Sequence, residues 1–171
     1  MKKHRRKTAG RLSAFLSLLL VATMAQPLFQ TRAAENDVTM DGNVTWSYLD
    51  DGSDPAGDST AAGYDRTSWT KDGYDVSAWK TATSSFGAKK GKINDLGGGC
   101  TPKTLLTQYK ADGTTDIEAF FFRTDVTIPD ASKVTKISGS VIYDDAATVY
   151  VNGVKIAGFD DDSITGNLQY G

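Results

Sequence analysis

Apolar and polar residues alternate with a period of two along much of this chain. Residues 44–48 read Val-Thr-Trp-Ser-Tyr, which puts Val44, Trp46 and Tyr48 on one face of an extended segment. Over residues 117–128, Phe120, Phe122, Val126 and Ile128 share a face, and Phe121, Arg123, Asp125 and Thr127 share the other. Residues 134–143 set Ile137, Val141 and Tyr143 on one side, and residues 147–151 do the same with Val149 and Val151. Asn152-Gly153 follows, a favoured type I′ hairpin pair because both residues tolerate positive φ. Residues 154–159 then read as the returning strand. Shorter extended pieces are expected over 74–80, ending at Trp79, and around Phe86-Gly87 within 84–92. Residues 101–109 admit two readings. Thr101 with Pro102 could open a short helix, or residues 105–109 could form a strand; the Asp112-Gly113 turn favours the strand. No window of eleven or more residues has a convincing helical period. The pattern therefore predicts an all-β chain, an antiparallel β-sandwich.

The N-terminus follows a different pattern. Residues 1–11 carry Lys2, Lys3, Arg5, Arg6, Lys7 and Arg11. Residues 12–25 are mostly apolar, and Pro27, Thr31, Ala33 and Ala34 follow. Basic, apolar, small is the layout of a secretory signal peptide. Fourteen residues are short for a membrane span, which needs roughly 20. Residues 1–34 are thus expected to be removed, with cleavage after Ala33 or Ala34 and an earlier site at Thr23-Met24-Ala25. The long basic start has a Gram-positive style. In a eukaryotic source, Asn43-Val44-Thr45 would be a glycosylation sequon. The expected location is secreted or cell-surface, with no transmembrane span after cleavage.

Charge sharpens the reading of residues 35–171. They hold 12 Lys and Arg against 21 Asp and Glu, a net charge of −9. Such an acidic body argues against nucleic acid as a partner. Nineteen of those acids are Asp, which suits turns and calcium-facing loops better than helix interiors. The single histidine, His4, lies in the basic N-terminus. The body therefore cannot build a Ser-His-Asp triad, a Cys-His pair or a histidine-containing zinc site. Cys100 is the only cysteine, so no internal disulfide forms. Aspartate is plentiful enough that paired carboxylates for glycoside hydrolysis are not excluded by counting, but nothing places two around a cleft.

Four pieces, in order, carry a resemblance: Trp46 on an early strand; Asp75-Val76-Ser77-Ala78-Trp79; Phe120-Phe121-Phe122-Arg123; and Tyr143-Asp144-Asp145-Ala146-Ala147-Thr148-Val149-Tyr150-Val151-Asn152-Gly153. Together they resemble the galactose-binding-like jelly roll attached to many secreted bacterial hydrolases, most closely the N-terminal module of Gram-positive surface metallophosphoesterases. The resemblance covers about residues 41–171. It implies about eight strands in two sheets, and further strands beyond residue 171, so that the chain reads as an incomplete module with an open sheet edge and low stability on its own. It also implies that a structural calcium is common. The function expected is a non-catalytic accessory module, binding carbohydrate or cell wall or packing on a downstream catalytic domain. The rival readings are a free-standing secreted carbohydrate-binding protein and an accessory module of a glycoside hydrolase.

The residues that could carry binding are few. Trp69 lies in a polar stretch with Arg66, Thr70 and Lys71 and is the candidate for an exposed sugar platform, whereas Trp46 and Trp79 belong to the structural pattern. Arg123 is either a surface residue, an ion-pair partner or a ligand contact. Asp144 and Asp145 are either ligand contacts or turn residues bonding nearby backbone. Asp50, Asp51 and Asp54 could gather oxygens for calcium, although their spacing fails the EF-hand pattern. Gly97-Gly98-Gly99-Cys100-Thr101-Pro102-Lys103-Thr104 mimics a phosphate loop, but Pro102 stands where a second glycine is needed.

Overall fold

The computed structural model describes residues 38–170; the expected signal peptide lies outside them. Among the described residues the chain is built of strands, with three-residue 3₁₀ turns at Ser68–Thr70, Ala131–Lys133 and Asp161–Ser163 and no α-helix. Nine strands follow in order: β1 (Thr45–Leu49), β2 (Lys80–Thr83), β3 (Phe86–Gly87), β4 (Thr104–Leu105), β5 (Phe121–Arg123), β6 (Ala147–Val151), β7 (Val154–Phe159), β8 (Ile164–Gly166) and β9 (Gln169–Tyr170). They form one three-stranded sheet, β2-β1-β5, and three two-stranded pairs, β3-β4, β6-β7 and β8-β9. Every pairing is antiparallel except β3-β4, which is parallel. The chain is thus all-β with antiparallel sheets as expected, and the parallel β3-β4 pair is an exception.

The three-stranded sheet is covered on both faces by aromatic rings. Because side chains alternate, Tyr48 and its register partner Phe122 project to one face. There they meet Phe86 of β3, with ring centroids 5.2 Å from Tyr48 and 4.8 Å from Phe122. Phe121 projects to the other face, where its ring meets Trp69 edge-on at 5.2 Å. Trp69 is flanked in turn by Trp79 at 6.3 Å and Tyr150 at 6.2 Å, and Tyr74 packs on Trp79 at 6.0 Å. Offset and edge contacts of this kind add about 0.5–1.5 kcal/mol per pair beyond area burial. Among the described residues, Tyr48, Leu106, Ile117 and Phe121 form the buried hydrophobic core.

Three expectations change. First, strand over 74–80 gives way to a turn: Asp75 accepts the Ser77 amide at 2.8 Å and Trp79 N–H donates to the Val76 carbonyl at 2.9 Å, so pairing starts at Lys80. Second, the long strand over 117–128 shrinks to Phe121–Arg123, and its buried side chain is Phe121 rather than the Phe120/Phe122 set, because both faces are covered. Val126 and Ile128 are exposed. Third, residues 134–143 form no strand, and Val134, Ile137, Val141 and Ile142 are exposed. Alternation alone does not make a strand; without a neighbouring strand the backbone has no ladder to join.

The Asn152-Gly153 hairpin forms as its sequence requires, with φ of 46° and 84°. Its turn is anchored, since Gly153 N–H donates to the Thr70 carbonyl at 2.9 Å. At Gly158 the Asp161 carboxylate folds back over the strand, into the space a side chain at 158 would occupy. That carboxylate accepts from Thr148 Oγ1 at 2.9 Å and pairs with Lys155 Nζ at 2.6 Å.

Candidate functional site

The aspartates explain themselves first. Nine of them, Asp41, Asp51, Asp54, Asp58, Asp65, Asp75, Asp95, Asp112 and Asp130, accept a hydrogen bond from the backbone N–H two residues on. These are Asx turns, in which a short carboxylate replaces a backbone carbonyl. Bonds of this kind hold the ionised form, so Asp112 is pulled down to about 2 by Thr115 and Thr114, and Asp58 and Asp75 are lowered by Thr60 and Ser77.

The calcium candidates point to separate partners. Asp51 bonds Ser53 through both its amide and its hydroxyl. Asp54 accepts from the Ala56 amide, from Asn167 Nδ2 at 2.8 Å and from Tyr64 O–H at 2.7 Å. Burial and that carboxylate together push the Tyr64 hydroxyl up to about 12. Asp50 is fully buried, with its side chain 1% exposed. Its Oδ2 accepts the Thr107 amide at 2.8 Å and its Oδ1 lies 2.7 Å from Lys80 Nζ. Burial pushes the Asp50 carboxyl up, but the Lys80 ammonium and the Thr107 amide together bring it below the usual value. Among the described residues, no three His, Cys, Asp or Glu side chains gather closely enough to hold a metal ion.

The remaining candidates divide between packing and surface. Trp69 is half-buried at the centre of the second aromatic cluster, with three rings around it rather than an open face. Arg123 is a clamp: its Nη1 donates to the carbonyls of Trp69 at 2.8 Å and Lys71 at 2.6 Å, and Nη2 lies 3.7 Å from Asp125. Its guanidinium fixes the turn that carries Trp69. Asp144 and Asp145 are exposed, with no side-chain hydrogen bond among the described residues. Cys100 is half-buried and free.

An open depression among the described residues lies elsewhere, and its residues were not singled out in the sequence. Parallel pairing of β3 with β4 continues through Leu106 N–H to the Gly87 carbonyl at 3.1 Å. This carries the Lys89–Lys92 turn alongside residues 107–110. Lys89 N–H donates to the Lys92 carbonyl at 2.9 Å, and Lys90 and Gly91 turn the chain with φ of 56° and 66°. Gly91 N–H donates to Gln108 Oε1 at 2.8 Å, and a Cβ at 91 would sit 3.4 Å from the Tyr109 ring. Gln108 Nε2 donates to Asp116 at 3.2 Å, and Lys110 N–H to the Thr115 carbonyl at 2.7 Å. The result is an open depression of about 330 Å³ lined by residues 105–110 with Gly91 and Gly113. Buried Asp50 holds its floor in place through the Thr107 amide. The lining offers an aromatic edge, a hydroxyl and an ammonium, groups that hold sugars and polyols by stacking and hydrogen bonding, while the Gln108 amide is held by Gly91 and Asp116. The signal available in sequence was the alternation of Lys89, Lys90 and Lys92 with Gly91, ahead of Gln108-Tyr109-Lys110.

Comparison with known protein families, curated proteins and solved structures yields no match to this chain.

Proposed function

We propose that this chain is an exported, non-catalytic accessory module, a galactose-binding-like jelly roll serving a larger secreted hydrolase, with a metallophosphoesterase as the parent. Its role is to hold that enzyme on extracellular carbohydrate or cell wall. The observation that carries the reading is the open depression over residues 105–110, where exposed Thr107 and Lys110 flank half-buried Gln108 and Tyr109 in a shallow surface rather than an enclosed cleft. A shallow surface of this shape suits a polymer lying across it better than a small substrate that must be desolvated for reaction. The strand-built body, with its aspartates engaged in turns, supports the same view, as do the apolar side chains exposed between Val126 and Ile156, which suit contact with a neighbouring domain.

The test uses the purified chain on insoluble cell-wall polysaccharide, alongside a hydrolysis assay with a phosphomonoester, a phosphodiester and an aryl glycoside. Retention without turnover is the expected result. Turnover by this polypeptide alone overturns the proposal.

A further inference from the structure

Charge is distributed unevenly around the depression. Residues 80–116 hold six Lys and three Asp, a net charge of +3, whereas the rest of residues 35–171 holds six Lys and Arg against 18 acids, a net charge of −12. Pairing differs in the same way. Lys71, Lys133, Lys155 and Arg123, outside the segment, lie beside Asp65, Asp130, Asp161 and Asp125. Inside it only Lys80 has a carboxylate partner, while Lys89, Lys90, Lys92, Lys103 and Lys110 are exposed and form no ion pair among the described residues. The three acids of the segment keep their charge and are already counted in its net of +3, and each is hydrogen-bonded within its own turn or to Gln108. Asp95 accepts the Gly97 amide, Asp112 accepts from Thr114 and Thr115, and Asp116 accepts from Gln108.

Resting on the accessory-module reading, we propose that the ligand of this depression is a linear extracellular polyanion, a polymer with phosphate or carboxylate groups repeated along its length. The Lys89–Lys92 turn and Lys110 meet its charges, and the Tyr109 rim meets the units between them. Four features select a polymer over a single anion. The cations are lysines, which act as point charges without the fork that fixes one phosphate or carboxylate. They are exposed rather than converging in a closed pocket. They occupy two chain segments tied together by the Gly91–Gln108 bond. The rest of residues 35–171 carries a net charge of −12, which disfavours a polyanion away from this strip.

The experiment measures retention of the full chain on immobilised long-chain polyphosphate, polygalacturonate and neutral dextran. Binding to at least one polyanion is expected, falling steeply as salt rises from about 50 to about 200 mM. The triple variant Lys89→Gln, Lys90→Gln, Lys92→Gln should weaken it about tenfold, with arginine at the same three positions restoring it and Lys136→Gln leaving it unchanged. The polyphosphate and polygalacturonate arms separate phosphate from carboxylate as the recognised group. Retention of neither polyanion, or retention indifferent to the triple variant, overturns the proposal. Retention on dextran without retention on polyanions overturns it too, while leaving the accessory-module reading standing.

Discussion

The β2-β1-β5 sheet and the run from Val126 to Ile156, Tyr150 aside, use their apolar side chains in opposite ways. In the sheet, Tyr48, Phe121 and Phe122 each find aromatic partners contributed by loops and strands distant in sequence. In the second region Ile137 is 66% exposed, Ile142 84% and Val154 64%. The difference lies in connectivity rather than hydrophobicity. Phe121 is buried because Trp69 is brought over it by the Arg123 clamp; nothing among the described residues plays that part for Ile142. A hydrophobic residue stabilises only as far as neighbours remove it from water.

Phe121→Ala tests the packed side most severely. It removes the ring between β5 and Trp69 and is expected to cost about 3–5 kcal/mol, read as a fall in the urea midpoint. Asp50→Asn comes next, at about 2 kcal/mol, because the Lys80 charge loses its partner beside a buried amide. Acid should act through the same group. The lowered Asp50 carboxyl contributes stability that is fully present above its unfolded value of 3.8 and is lost as pH falls through the lower folded value. Asp112, held down at about 2, adds to the same acid-side loss. Urea midpoints should therefore be flat from neutral pH to about 5 and fall below it, and Asp50→Asn should flatten that fall. Gly153→Ala is expected to cost about 1–2 kcal/mol, since residue 153 sits at a φ of 84° with Lys71 close by. Ile142→Ser should change the midpoint by less than about 0.5 kcal/mol, as a side chain already in water has little burial to lose. A large effect at Ile142, or a small one at Phe121, would erase the contrast.

Local elements were legible in the sequence and remote pairings were not. β1 and the β6-Asn152-Gly153-β7 hairpin follow from alternation and one turn dipeptide, both properties of adjacent residues. The parallel β3-β4 pair could not be read this way, because its partners lie 18 residues apart with no local turn linking them. Trp69 looked exposed from its polar neighbours, Arg66, Thr70 and Lys71; the rings that cover it come from positions 79, 121 and 150. Asp50 looked like one member of an acidic loop and is the most buried side chain among the described residues, because Lys80 and Thr107 converge on it from other segments. Arg123 could be read as a surface residue, an ion-pair partner or a ligand contact, and its two carbonyl partners lie more than 50 positions away. The candidate site was hidden by averaging: a body that is acidic in total contains a basic segment that the total conceals.

The three consecutive carbonyls of Trp69, Thr70 and Lys71 accept hydrogen bonds from two distant sources, Arg123 on β5 and the Gly153 amide at the tip of the β6-β7 hairpin. A hairpin tip ordinarily trades its amide hydrogens with solvent quickly. Here the Gly153 hydrogen is sequestered against the turn that the arginine immobilises. In heavy water it should persist longer than its exposed position suggests, and Arg123→Lys should hasten its replacement although residues 123 and 153 do not touch.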